Sequence, residues 1–263
     1  MWIGRLCGAL ITSHLVLPAV AARENCPVTP LHDFVRRGQD LYLGEGHGTV
    51  ESPMLVRCLV LTAMEHSKEP LIVSLEQDPS ARDPNGEAWH GRDGRGSEAM
   101  WNLMQFLLLQ EKAGRLELHL QLSFPIVFVP GEIPPKLDSG AYERSMGTPL
   151  REFAARGQLI ALSGNMHSRR ERIPIPQFSY DPAGAHVGPD VVHVDLEPGR
   201  GGAAWNCIAG GCGVHDLPSQ TPFEGLPNTL IDGKPYGHDF VYLLPRVTAS
   251  PPKYPGPGTP PGK

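Results

Sequence analysis

The stretch Leu41-Tyr-Leu-Gly-Glu-Gly-His-Gly-Thr-Val-Glu-Ser-Pro53 decides how the chain is read. A short apolar run ends in Gly44-Glu45-Gly46-His47 and then passes into a helix start. A buried strand that finishes this way presents a carboxyl group and an imidazole two residues apart, and extended backbone puts both on one face. The glycines around them, Gly44 first, allow a backbone to approach a ligand closely. Ser52 is placed to cap a helix and Pro53 suits its first position. Leu55, Val56, Leu59, Val60, Ala63 and Met64 then recur on one face, which predicts a helix over 53–67.

Working outward, the same alternation repeats. Short apolar runs at 40–44, 71–76, 116–122, 158–163, 191–196 and 240–244 are separated by helical patterns at 53–67, from Ser97 to Gly114, and at 142–156. That order predicts an α/β domain with a mainly parallel central sheet, helices on its faces, and a site at the carboxyl ends of the strands. Pro125 makes the run at 124–129 a poor central strand. Residues 77–96 and 173–188 are polar, rich in Gly and Pro, and read as excursions over the sheet edge or the site.

The chain has 263 residues, 40% hydrophobic and 19% charged, enough to close one sizeable core. Its formal net charge of -5 and lack of a basic stripe argue against nucleic acid as a partner. Residues 1–22 have one early Arg5, an apolar middle and a small-residue end at Ala19-Val20-Ala21-Ala22, the layout of a secretory signal. The expected division is therefore a leader over 1–22, one α/β domain over 23–249 and a disordered Pro/Gly-rich tail over 250–263. Export to a periplasm or beyond the cell follows, with no stable membrane span after cleavage. Without the leader, Lys plus Arg falls from 23 to 22 against 28 acids, giving -6. Cys26, Cys58, Cys207 and Cys212 remain, an even set that suggests two disulfides. The Ile-Ala-Gly-Gly turn favours Cys207 with Cys212, leaving Cys26 with Cys58, although four cysteines allow three pairings.

Three strand ends carry the candidate chemistry: Glu45 and His47, then Glu76 after Leu-Ile-Val-Ser-Leu, then Asn165 and His167 after Leu-Ile-Ala-Leu-Ser-Gly. Gly-Glu-Gly-His-Gly is not a dinucleotide fingerprint or a phosphate loop, because it lacks both spacings. Ser163 precedes Gly164 but lacks the nucleophile-elbow context. What stands out is the repetition: Gly44-x-x-His47 and Gly164-x-x-His167 are one pattern, each following an apolar strand.

This pair resembles the Gly-x-x-His signature of the superfamily that groups erythromycin esterases, ChaN-like haem-binding uptake proteins, TraB-like proteins and the Tiki proteases. The stretch from Gly44 to Pro53 is similar to the first motif of the esterase and ChaN-like branches, and Ser163 to Arg170 to the second. Glu76 falls where the family carries a strand-terminal glutamate. Residues 93–100 and 142–153 also resemble segments of that branch, so the likeness covers about 40–170. The resemblance implies Glu45, His47, Glu76 and His167 as reactive groups. It also implies either hydrolysis, in some members metal-dependent, or haem binding. The large helical insertion of the longer esterases is missing, which argues against macrolide lactones as substrates.

Two chemistries use these residues. In a hydrolase acting on an ester, lactone or peptide, a histidine would activate water, a glutamate would orient it, and Asn165 with the second histidine would stabilise the oxyanion. The same His47, His167, Glu45 and Glu76 could hold Zn²⁺ or Mn²⁺. Alternatively, a non-catalytic protein would use His47 or His167 to bind haem or a metal. An apolar slot bearing Tyr or Met beside the histidines would mark haem capture, with Tyr42, Met54 and Met166 as candidates. Arg92 and Arg95 could hold an anionic group of a substrate. His193 and Asp195 alternate on one strand and either face the site or pair with each other. His119 reads as a surface residue, and His215 and His238 have no recognisable context.

Overall fold

The computed structural model describes residues 26–123, 138–208, 211–219 and 226–254. Residues 1–22, expected as a secretory leader, the run at 124–129 and residues 255–263 of the tail lie outside them. The expected α/β architecture is present. Four helices, α1 (Pro30–Arg36), α2 (Glu51–His66), α3 (Glu98–Lys112) and α4 (Ser139–Ala154), surround a sheet. In chain order the strands are β1 (Leu41–Glu45), β2 (Leu71–Leu75), β3 (Glu117–Leu120), β4 (Gln158–Gly164), β5 (Val192–Pro198), β6 (Gly202–Ile208), β7 (Gly211–Leu217), β8 (Thr229–Asp232) and β9 (Phe240–Leu244).

Seven of them form one sheet in the order β3-β2-β4-β1-β5-β9-β8. Each neighbouring pair is parallel except β8 with β9. The central strands β1, β2 and β4 are buried along their whole length. Helices cover both faces, so these strands read as continuous apolar runs and do not alternate. Leu41, Leu43, Val73, Ile160 and Leu162 join the core with Leu31 of α1, Leu59 of α2 and Leu107 of α3. Tyr42, Ile72, Leu159 and Ala161 point the other way, onto Leu150 of α4 and onto Val187 and Val191. The strand ends of β2, β4 and β1 are consequently held side by side, and their loops emerge over one patch.

Local chemistry sets the helix starts. Ser97 accepts the Met100 N–H at 3.3 Å and opens α3, while Asp138 accepts the Ala141 N–H at 2.9 Å and opens α4 three residues before the expected Tyr142. Ser52 does not cap α2. It lies inside the first turn, where its Oγ accepts from Thr49 Oγ1 at 3.2 Å. The earlier start follows from a clamp: the Val50 N–H donates to Thr248 O at 2.9 Å, and the Thr248 N–H to Glu51 Oε2 at 2.8 Å.

The tail corrects another expectation. Residues 250–254 are docked: the Ser250 N–H donates to Gly48 O at 2.8 Å, Ser250 Oγ accepts the Ala99 N–H at 2.9 Å, and the Lys253 N–H donates to Gly96 O at 2.9 Å. Beyond the main sheet, β6 and β7 form an antiparallel hairpin. Cys207 is bonded to Cys212 across it, and Cys26 is bonded to Cys58 of α2, the arrangement that the Ile-Ala-Gly-Gly turn favoured. Among the described residues, no helix is long and apolar enough to cross a membrane.

Candidate functional site

The strand ends bring Glu45, His47, Glu76 and His167 into one cluster. Glu76 follows β2, and β4 lies between β2 and β1. Register places Glu45 opposite Gly164, with the Asn165 N–H donating to Glu45 O at 3.0 Å. The His47 loop then crosses back against the hairpin. Gly48 has φ of 85°, and a Cβ on it would overlap the Trp205 carbonyl, so this turn requires glycine.

Glu76 is the centre. Its Oε2 accepts the Gly164 N–H at 2.7 Å and its Oε1 accepts from the Arg95 guanidinium at 2.9 Å. Two imidazoles face it from the turns after the adjacent strands β1 and β4: His47 Nε2 is 3.6 Å from Oε2, and His167 Nε2 is 3.8 Å from Oε1. Each imidazole is anchored from behind by another glutamate. His47 Nδ1 lies 3.1 Å from Glu45 Oε1, and His167 Nδ1 lies 2.8 Å from Glu143 Oε1. The arrangement is Glu-His-Glu-His-Glu. The side chains of His47 and His167 are 21% and 24% exposed, whereas those of Glu45, Glu76 and Glu143 are 2%, 4% and 4% exposed. Solvent therefore reaches the imidazoles, with the carboxyl groups set behind them.

Charge is distributed accordingly. Burial alone would lower the pKa of His47, but hydrogen bonding and charge from Glu45 and Glu76 outweigh it and raise the pKa to about 10. Burial opposes the protonated form of His167 too. Its Glu143 hydrogen bond and the Glu76 charge raise it above the ordinary histidine value, and the His47 cation pulls it back down. Burial would raise Glu76, yet His47, His167 and Arg95 hold it well below the usual carboxylate range. Glu76 stays ionised, His47 stays cationic, and His167 is the imidazole whose charge the other one disfavours.

Arg95 sits in the 77–96 excursion and also pairs with Asp93. It neutralises Glu76 directly, so its role is inside the cluster. Gly44 and Asn165, expected to bind substrate, have these surroundings. A Cβ on Gly44 would overlap Ser168 Oγ and the Asn165 backbone, so the glycine serves packing. Asn165 hydrogen-bonds to Asp195. Tyr42 is fully buried, and its hydroxyl accepts from Ser163 Oγ at 2.9 Å. Met54 lies on α2 near Cys58. Only Met166 of the three haem-ligand candidates lies beside a site histidine.

Glu143 and Tyr142 are the residues that sequence reasoning did not single out. Glu143 accepts the Ala183 N–H at 2.8 Å as well as facing His167, and the Tyr142 ring meets the His167 ring edge-on at 6.3 Å. A usable signal existed. Glu143, Met146, Gly147 and Leu150 share the buried face of α4, so a carboxyl group stands in an apolar stripe.

A second polar cluster lies under the first. Ser168 Oγ is 2.9 Å from His238 Nε2, and His238 Nδ1 is 4.0 Å from Asp195 Oδ2. Ser168 is fully buried over Gly44, which closes it to a substrate. His193 and Asp195 do not pair: His193 Nδ1 donates to Ser168 O at 2.6 Å. His119 is 2.9 Å from Glu117 at the sheet edge, and His215 is half-buried on the hairpin.

A metal does not fit this arrangement. Both Glu76 oxygens are already taken, one by the Arg95 cation, and among the described residues no three His, Cys, Asp or Glu side chains converge as metal ligands. Each imidazole is held through Nδ1 by a glutamate, and each Nε2 faces Glu76 at a longer distance without a hydrogen bond to it. Comparison with protein-family models, curated proteins and solved structures found no match to the chain.

Proposed function

We propose that this protein is a hydrolase of an ester or amide bond that uses water as nucleophile. The observation that carries the reading is the pair of imidazoles facing one buried glutamate, each anchored through Nδ1 by a further glutamate. His167 acts as general base: held in orientation by Glu143, it takes a proton from water through Nε2. The His47 cation donates a hydrogen bond to the carbonyl oxygen as negative charge develops, and His167 passes the proton it took from water to the leaving group as the bond to carbon breaks. Glu76 keeps the two rings aimed at one point and balances their charge, and Arg95 fixes Glu76. The convergence of both Gly-x-x-His motifs supports placing the chain with the esterase-like and ChaN-like branches. The leader-like start, with two disulfides in the fold, supports export to an oxidising compartment.

The test is a screen of esters, lactones and peptides against the exported protein and its His47→Ala and His167→Ala variants. Turnover is expected in the parent and a loss of at least ~100-fold in each variant, with melting unchanged. Normal turnover in either variant would remove that residue from the mechanism. A Soret band in the purified protein would replace hydrolysis with haem capture.

A further inference from the structure

A cavity of about 220 Å³ adjoins His167. Its walls are Met166, Ile173, Phe178, Tyr180 and Pro182, and it ends at Glu143 and His167. Phe178 and Tyr180 meet edge to face at 6.1 Å, which sets two walls against each other. The slot reaches the surface at an apolar residue, since Met166 is 41% exposed. At the polar end, Glu143 is already bonded by His167 and the Ala183 N–H, so no unpaired charge is offered to a ligand there.

Volume and chemistry narrow the occupant. An apolar cavity of ~150 Å³ holds a benzene ring, whereas sites for drug-sized ligands begin near ~300 Å³. A single ring or a branched alkyl group fits; a macrolide or a porphyrin does not. We propose that this slot binds a neutral phenyl-sized or branched aliphatic group attached next to the scissile carbonyl, making aryl- or branched-alkyl-bearing esters and amides the substrate class. The substrate assignment rests on the hydrolase reading; the binding slot stands independently of it. Seating such a group between Met166 and Phe178 leaves its carbonyl beside His167, where the two imidazoles converge. The walls belong to the 173–182 segment and to the turn after β4, so the slot is built into the loop that carries the proposed base.

The experiment follows methyl NMR signals of Met166 and Ile173 while phenylacetamide is added to the full chain. Saturable shifts at both methyls are expected in the parent protein. Ile173→Trp fills the slot and Phe178→Ala removes a wall, and each is expected to weaken binding at least ~10-fold with the fold verified by melting. No shift at these methyls, or unchanged affinity in both variants, would overturn the proposal. Hydrolysis of 4-nitrophenyl phenylacetate against 4-nitrophenyl acetate separates the two readings. If phenylacetamide binds in the slot and neither ester is cleaved, the slot stands and the hydrolase reading fails. Cleavage with no phenylacetyl preference and no methyl shift would sink the slot and keep the hydrolase.

Discussion

His167 Nδ1 lies 2.8 Å from Glu143 Oε1, joining the end of β4 to the buried face of α4. The contact fixes the ring and favours its protonated form, against burial, which opposes it. His167 must lose its proton to act as base, so kcat/KM is expected to rise with pH on the alkaline side of 6.5. It should fall again near pH 10, where His47 loses its proton. Glu143→Gln removes the partner of His167, moves the rising limb to lower pH, and lowers the maximum rate. A rising limb that stays in place in the variant would contradict the assignment.

Gly164 forms the floor between the rings. A Cβ there would lie 3.1 Å from His47 Nε2, 3.5 Å from Glu76 Oε2 and 3.5 Å from His167 Cδ2. Gly164→Ala is expected to retain the fold yet lose about 100-fold in rate, because misplacing reacting groups by about an ångström has that effect. Equal rates for the two proteins would show that the space between the imidazoles is not where the reaction occurs.

Arg95 supplies the positive charge against Glu76 that a metal would otherwise supply. Dialysis against a strong chelator is therefore expected to leave turnover unchanged, while Arg95→Gln lowers it. Inactivation by chelator with recovery on adding Zn²⁺ would reverse this assignment.

The second cluster governs acid stability. Burial, with a smaller effect of the Arg170 charge, lowers His193 to about 4, and burial with the Arg169 charge does the same for His238. Between pH 4 and 6.5 the unfolded chain binds protons at these positions and the native chain does not, so stability rises with pH there. Each histidine is expected to cost about 3 kcal/mol by pH 4 relative to pH 7. Asp40, raised by burial to about 6, acts with the opposite sign over 3.8–6. Melting curves of the parent and of His193→Gln and His238→Gln isolate the histidine part. A slope that persists unchanged in both variants would refute it.

Much of the sheet was legible because parallel strands covered on both faces are written as unbroken apolar runs; β9 matches its expected 240–244 run. The site was legible in the same way, as polar residues ending those runs. The hairpin β6–β7 was not, since Gly202, Ala203, Ala204 and Gly213 give no apolar alternation, and its far end is tied by the Cys207–Cys212 bond. α1 has only seven residues, too few to show a period. Ser52 misled because the clamp that starts α2 comes from Thr248, far along the chain. Glu143 was passed over because a glutamate in a helix reads as solvated until its neighbours on the buried face are counted.

The docked segment has one more effect. Thr248 and Ser250 fasten the loop that carries His47, and Pro251 O and Lys253 N hold the start of α3 just after Arg95. Residues some two hundred positions further along the chain thus hold the two loops that flank the cluster. Cutting the chain after Arg246 would spare every His and Glu of the cluster and still remove the hydrogen bonds that keep those loops in place.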